Sequence, residues 1–276
     1  MKIRVLVCML YCVLMAHPSI AQSKIQNAKN NLSTSTHQAV ITESTSNTSS
    51  SSSYRSDSLL ADFLYFVFFE ISVGLTYHIL FEGIDEIKSP MYQASLSPYP
   101  FYQNHKGDYQ YYTNDLVRWR LDVANYYLSE KGKLSANFLD LKFRLMRRLS
   151  ISTSYISFRE TLIHQKEKLD LFCTNLDYYR VRTPYFSMYW GLGAGYIGNG
   201  LNQLGLSVKT GSEIFIKPFT IQADFGYIAF KNNDITLFAI GPKYHLNRYH
   251  FGLKYQYSNL AGSRVSGVSF GAGFYF

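Results

Sequence analysis

The C-terminal part of the chain alternates apolar and polar residues with a period of two, which is typical of strands that bury one face. In the clearest segment, Tyr249, Phe251 and Leu253 share one face. His250 and Lys254 lie on the other face. Ten such segments follow one another, near 117–128, 134–146, 149–159, 170–181, 185–196, 204–209, 219–227, 238–246, 248–257 and 267–276.

The connections between these segments favour a closed barrel over a soluble sandwich. Tight links such as 217–218 and 245–248 alternate with longer links such as 198–203 and 160–169. Tight turns at one end and longer loops at the other are typical of bacterial transmembrane barrels. We therefore predict an all-β transmembrane fold over 116–276, a ten-stranded antiparallel up-and-down β-barrel, with eight or twelve strands as alternatives.

The N-terminal region has the composition of an export signal followed by a tether. Lys2 and Arg4 precede an apolar run, and small residues occupy positions 19 and 21, so residues 1–21 are predicted to be a signal peptide. Residues 22–58 are dominated by Ser, Thr and Asn and show no apolar periodicity. Such a segment buries too little apolar surface to order itself, so we predict a Ser-rich disordered linker.

Two further segments separate this linker from the barrel. Residues 59–84 include the most hydrophobic stretch after the signal, and we predict a short apolar helix beside the barrel. Glu70 near its centre disfavours a membrane anchor, whereas the period-two second half leaves a strand as an alternative. Residues 85–115 are rich in Tyr and contain Pro98 and Pro100, which predicts an aromatic connecting segment lying on a surface, with sugar stacking as its functional alternative.

Composition narrows the functional classes. The chain is 47% hydrophobic but only 17% charged, which disfavours an ordinary cytosolic enzyme. Its net charge of +8 comes from Lys and Arg spread along the chain, so we expect no nucleic-acid partner. Cys8 and Cys12 lie in the predicted signal, which leaves Cys173 as the one thiol of the mature chain. We expect no metal site and no cofactor.

The last predicted strand carries the most specific motif. Apolar residues occupy every second position up to the terminal aromatic residue, namely Val268, Phe270, Ala272, Phe274 and Phe276. With the export signal and the repeated alternation, residues 116–276 resemble the small outer-membrane β-barrels of Gram-negative bacteria. The resemblance implies that these five residues are an assembly signal read by the barrel-assembly machinery. It also implies export across the inner membrane and contact with outer-membrane lipid.

If the apolar face contacts lipid, the polar face lines the interior. The polar residues predicted to face the lumen are Arg118, Arg120, Asp122, Asp140, Lys142, Arg144, Asp177, Lys209, Glu213, Asp224, Lys243 and Lys254, joined by His245 and His250. Acids and bases in so narrow an interior should pair, which favours a structural or interaction role in the cell envelope. A narrow channel for small solutes is the alternative.

An outer-rim hydrolase is a second alternative. The candidates near the predicted outer loops are Glu160, His164, Asp170 and Asp234. Their order and spacing match no catalytic set, so we predict no catalytic residue and leave the ligand unassigned.

Overall fold

The computed structural model describes residues 23–33, 94–110, 119–130, 133–161, 166–231 and 233–276. The predicted signal peptide and the apolar segment 59–84 lie outside the described residues, as does most of the predicted linker. In chain order, the elements are the helix α1 (Lys24–Ser33), the short strands β1 (Ser95–Leu96) and β2 (Tyr109–Gln110), and the long strands β3 (Arg120–Glu130), β4 (Leu134–Arg144), β5 (Leu149–Thr161), β6 (Lys166–Arg182), β7 (Phe186–Ile197), β8 (Gln203–Ile216), β9 (Phe219–Ala229), β10 (Asp234–Leu246), β11 (Tyr249–Leu260) and β12 (Ser263–Tyr275).

The ten long strands form a closed antiparallel barrel. Each strand pairs with its neighbours in the chain, and β12 closes on β3 in a register that runs from Ser269 opposite Leu128 to Tyr275 opposite Asp122. Closure leaves the barrel without an open sheet edge, so each of the ten long strands has a hydrogen-bonded neighbour on both sides. The predicted ten-stranded barrel is confirmed, and the eight- and twelve-stranded alternatives are wrong.

Alternation along each strand separates an apolar exterior from a polar interior. On β11, Phe251 and Leu253 are 45% and 51% exposed on the outside, whereas His250 and Lys254 are 0% and 4% exposed on the inside. The other long strands repeat this arrangement, so large apolar side chains cover the exterior. An apolar surface of this extent suits acyl chains rather than water.

The predicted contrast between tight turns and long loops is much weaker in the structure. The strands extend beyond the alternating segments, so the connection expected over 160–169 shrinks to 162–165. The connection between the alternating segments 248–257 and 267–276 is only 261–262, because the ladder continues to the pair Leu260 and Ser263. Backbone pairing therefore persists where the side-chain pattern has already faded.

Two N-terminal segments lie at opposite ends of the barrel. We name the end at which β3 begins and β12 finishes the terminal mouth, and the opposite end the far mouth. Residues 94–110, the hairpin plug, lie at the terminal mouth, where the Tyr109 hydroxyl donates a hydrogen bond to the backbone oxygen of Arg147. Residues 23–33, the helix plug, lie at the far mouth, where Asn31 bonds the backbone of Ala261. Within the part of the chain that the structure describes, no helix has the length and apolar character needed to span a bilayer.

Both plugs correct expectations drawn from composition. Lys24–Ser33 is helical, not part of a disordered linker, because Ile25, Ala28 and Leu32 lie on one face and are fully buried. In the predicted surface segment, Leu96 and Tyr109 are 3% and 1% exposed. Leu96, Phe101 and Tyr109 are thus buried at the terminal mouth, whereas Tyr99 and Tyr102 are half-buried.

Candidate functional site

The barrel interior is charged, and the structure places the predicted lumen-facing residues within it. The residues of that set that are buried or half-buried inside are Arg120, Asp122, Asp140, Lys142, Arg144, Asp177, Lys209, Glu213, Asp224, Lys243 and Lys254, with His245 and His250. Arg118 lies outside the described residues. The interior therefore carries both signs of charge from the terminal mouth to about the middle of the barrel.

At the terminal mouth, the hairpin plug is held by one carboxylate. Asp108 Oδ1 accepts a hydrogen bond from Arg120 Nη1 at 2.6 Å, and Oδ2 accepts one from Arg120 Nη2 at 2.9 Å. Oδ2 also accepts from Arg144 Nη2 at 2.9 Å. All three side chains are at least 96% buried. A buried, bidentate, charge-assisted contact of this kind is among the strongest that side chains make.

Tyr109 extends the same contact. Its hydroxyl accepts a hydrogen bond from Arg144 Nη1 at 2.5 Å and donates one to the backbone oxygen of Arg147 at 3.0 Å. The neighbouring backbone contributes as well, since the carbonyl of Ser97 accepts from Arg120 Nη1 at 3.0 Å. Both strands of the plug are thereby fastened to the barrel wall.

The ionisation of Asp108 reflects these neighbours. Burial by itself would raise the pKa of the Asp108 carboxyl, but Arg120 and Arg144 outweigh burial and leave the pKa below its ordinary value. Asp108 is therefore a carboxylate near neutral pH, and its ion pairs are intact.

At the far mouth, Glu160 of the barrel wall caps the helix plug. Its Oε2 accepts hydrogen bonds from Ser23 Oγ at 2.8 Å and from the backbone nitrogen of Ile25 at 3.0 Å, and its Oε1 accepts from the backbone nitrogen of Lys24 at 3.2 Å. A carboxylate at this position satisfies free helix N–H groups and complements the helix dipole. At the rim, Lys24 pairs with Glu130 and Lys29 pairs with Glu167, each at 2.6 Å.

The helix plug is also held by its apolar face. Ile25, Ala28 and Leu32 belong to one hydrophobic cluster with inward-facing residues of the wall, among them Phe158 and Leu169. The interior near the far mouth is therefore apolar where it meets α1, in contrast to the charged terminal mouth.

Between the plugs lies a cavity of about 110 Å³. Its lining includes Lys142, Lys209, Lys243 and Lys254 together with the acids Asp122, Asp140 and Asp224. The pairs are loose, since Lys243 lies 3.9 Å from Asp122 and Lys254 lies 3.8 Å from Asp140. A space of this size, with several charged groups in its lining, can hold several water molecules.

Three of the four candidates for an outer-rim hydrolase have other contacts or lie outside the described residues, and the fourth, Asp234, begins β10 and accepts a backbone hydrogen bond from Ala261. Glu160 caps the helix plug, and Asp170 forms an ion pair with Lys168 at 2.7 Å. His164 falls in the undescribed stretch 162–165, and Cys173 is 4% exposed. Among the described residues, no group of three His, Cys, Asp or Glu side chains could hold a metal ion.

Sequence reasoning missed Asp108 and the capping role of Glu160. Asp108 is an isolated acid in a Tyr-rich segment, and nothing in the sequence links it to arginines on β3 and β4. The helix plug did carry a signal, because Ile25, Ala28 and Leu32 follow the spacing of one helix face.

The exterior of the last strand completes the description of the barrel. Val268, Phe270 and Phe276 point outward and are 64%, 62% and 59% exposed. Phe274 is partly covered, with its ring 4.7 Å from that of Phe276 and 4.8 Å from that of Tyr249. A closed ten-stranded antiparallel wall thus presents apolar side chains outward and charged side chains inward.

The chain folds as a closed, ten-stranded antiparallel β-barrel. No protein-family model matches this barrel, and no curated protein matches its sequence. Among solved structures, it is similar to the outer-membrane protein Ail of Yersinia pestis in a phospholipid nanodisc, with 15% identity, a TM-score of 0.32 and coverage of 57% of this chain and 98% of that one. It is also similar to the KdgM porin, with 10% identity, a TM-score of 0.35 and coverage of 57% and 99%. A crystal structure of Ail gives 15% identity, a TM-score of 0.28 and coverage of 57% and 96%.

Proposed function

We propose that this barrel lies in the outer membrane, is closed at both mouths by its own chain, and has a structural or interaction role in the cell envelope. The observation that carries the proposal is the buried contact of Asp108 with Arg120 and Arg144, because it fixes the hairpin plug inside the terminal mouth. The capped helix plug supports it at the far mouth. A barrel closed in this way is not a route for free diffusion of solutes.

We also propose an orientation and a route to the membrane. Short turns of bacterial barrels typically face the periplasm, so the terminal mouth, which carries the two-residue turns 217–218 and 247–248, would lie there and the helix plug at the cell surface. Residues 1–21 would direct export, and the outward-facing Val268, Phe270, Ala272, Phe274 and Phe276 would be read by the assembly machinery. Outer-membrane lipid would cover the apolar exterior.

Planar-bilayer conductance tests the closed barrel against the channel alternative. Folding is first verified by heat-modifiable migration on gels, which distinguishes folded from boiled barrels. We expect the folded wild-type protein to be silent. A variant with Asp108→Ala and Leu32→Asp, which weakens both plugs, should give discrete current steps.

A matched control keeps the same number of substitutions. Asp140→Ala with Ser33→Ala removes an interior acid and an exposed helix side chain, and this protein should stay silent. Steady current steps from the folded wild-type protein would show that the barrel conducts and would overturn the proposal.

A further inference from the structure

The carboxylate at the terminal mouth belongs to the plug, whereas both guanidinium groups that bind it belong to the barrel wall. We propose that Arg120 and Arg144 form a binding site for a small oxyanion, a carboxylate or a phosphate, and that Asp108 occupies this site in the closed protein. The inference deepens the proposed closed barrel, because an oxyanion that takes the place of Asp108 releases the hairpin plug.

Both guanidinium groups also contact the wall, and these contacts do not depend on the plug. The ring of Tyr179 lies 3.5 Å from Cζ of Arg144, and the ring of Tyr275 lies 5.2 Å from Cζ of Arg120. Cation–π contacts of this kind orient a guanidinium group and persist when its anion leaves. Glu213 also lies 3.7 Å from Arg144 Nη2. The site is therefore preorganised for another anion.

The positive charge around the site favours binding of another anion after Asp108 leaves. Lys142 and Arg144 flank Glu213, with Lys142 Nζ at 3.1 Å from Glu213 Oε1, and Arg120, Lys243 and Asp122 line the gap beside them. Without Asp108, positive charge exceeds negative charge in this buried group. An uncompensated buried charge is costly, so departure of Asp108 strongly favours uptake of an external anion.

The hydrogen-bond donors point to an oxyanion rather than a halide. Arg120 donates from Nη1 and Nη2 to the two oxygens of one carboxylate, a geometry that carboxylates and phosphates match. In addition, Nε of Arg120 and Nε of Arg144 are buried and have no hydrogen-bond partner among the described residues. A phosphate, with more acceptor oxygens than Asp108, could use donors that the plug leaves unfilled.

The site has room for either Asp108 or an external anion, but not for both. The gap lined by Asp108, Arg120 and Tyr275 measures about 10 Å³, which is about the minimum for one water molecule. An external carboxylate or phosphate therefore cannot bind beside Asp108 and has to replace it. Occupancy of the site and release of the plug are thus linked.

Chemical rescue tests the site. The folded fraction of Asp108→Ala, measured by heat-modifiable migration across a temperature series, is compared in acetate, inorganic phosphate and chloride at equal ionic strength. We expect acetate or phosphate, but not chloride, to favour the folded form, by about twofold when the anion concentration equals its dissociation constant. Comparison of the acetate and phosphate arms identifies the preferred class of oxyanion.

The control is Glu130→Ala, whose missing carboxylate pairs with the exposed Lys24 at the far mouth, so its removal leaves no buried cation without an anion. It should show no difference among the three anions. Equal stabilisation of both variants by acetate would show a general salt effect and would overturn the site, as would equal behaviour of Asp108→Ala in all three anions.

A second measurement keeps the site testable if Asp108→Ala does not fold. Ser97 of the plug is 1% exposed, so Ser97→Cys in a Cys173→Ala background reports plug release by its labelling with a maleimide. Acetate or phosphate should speed labelling relative to chloride, and Arg144→Met should abolish the dependence on the anion. Labelling at one rate in all three anions would overturn the site. The closed barrel itself is judged separately, by the conductance of the wild-type protein in chloride.

Discussion

The two plugs close the same barrel by opposite means. The hairpin plug brings an acid, Asp108, into a basic wall. The side chains of Asp108 and Arg120 there are 1% and 4% exposed. The helix plug brings lysines to an acidic rim, where the side chains of Lys24 and Glu130 are 41% and 20% exposed. The helix plug is buried chiefly through Ile25, Ala28 and Leu32.

This difference indicates which forces close each mouth. Buried ion pairs are screened little by salt, and breaking one leaves an uncompensated charge. Exposed ion pairs contribute little to stability and are weakened by salt. The stability gained by burying apolar side chains does not depend on charged groups. The terminal mouth should therefore respond to substitutions of charge, and the far mouth to truncation of apolar side chains.

The largest effect is expected for Asp108→Ala. Removing the carboxylate leaves Arg120 and Arg144 buried without their anion, which should lower the free energy of unfolding by about 3–5 kcal/mol. Urea denaturation of the refolded protein in lipid vesicles, in chloride, measures this change. A loss below about 1 kcal/mol, within the range of exposed ion pairs, would contradict the account of the terminal mouth.

Low pH should destabilise the wild-type protein in the same way, because protonation removes the negative charge of Asp108. Because the pKa of Asp108 is lowered in the folded state, its stabilisation is complete above the unfolded pKa, about 3.9, and is lost as pH falls through the folded value. Urea midpoints should therefore show an Asp108-dependent loss only below about pH 4. Asp108→Asn is the control and should lack this component; an identical pH dependence of both proteins would argue against the lowered pKa.

At the far mouth, Leu32→Ala should weaken docking of the helix plug more than any substitution of a charged residue there. It shortens a fully buried side chain of the helix plug and should destabilise plug docking by about 2 kcal/mol. The rate at which protease cleaves within residues 23–33 of the folded barrel measures docking. Ser33→Ala, an exposed position on the same helix, should leave cleavage unchanged, and equal cleavage of the two variants would refute apolar docking.

Glu160→Gln should have a smaller effect on the same cleavage rate. The amide keeps one acceptor oxygen but loses the charge that caps the helix N-terminus, at a cost of about 1 kcal/mol. Glu130→Gln is the matched control, because that acid contacts Lys24 at the rim and does not cap the helix. Equal cleavage rates of Glu160→Gln and Glu130→Gln would show that capping by Glu160 does not stabilise docking of the helix.

The smallest effect is expected for Lys29→Gln. Its pair with Glu167 lies at the rim, so the change should cost about 0.5 kcal/mol, and salt should diminish the difference from the wild-type protein. Cleavage rates at low and high salt test this. A larger effect that persists at high salt would show that rim charges, rather than apolar burial, hold the helix.

The barrel was predictable because its signal is local and repeated. On each strand the alternation specifies which residues meet lipid, so the outward Phe251 and the inward Lys254 follow from the period alone. Strand ends were less predictable, because backbone pairing continues past the alternating residues, as it does to Leu260 and Ser263.

The plugs could not be predicted in the same way. The contact of Asp108 with Arg144 joins segments far apart in the sequence, and it depends on where the chain enters the barrel, which no periodicity encodes. The helix plug was obscured by its composition, since polar residues surround Ile25, Ala28 and Leu32. Three apolar residues suffice there because the barrel supplies the remainder of the core.

The placement of the two plugs at opposite mouths can be measured directly in cells. Ser33→Cys and His105→Cys replace exposed residues of the helix plug and the hairpin plug, each in a Cys173→Ala background. A membrane-impermeant maleimide should label Ser33→Cys in intact cells and His105→Cys only after the outer membrane is permeabilised. Labelling of both positions from the same side would contradict a barrel closed at its two ends by two segments of its own chain.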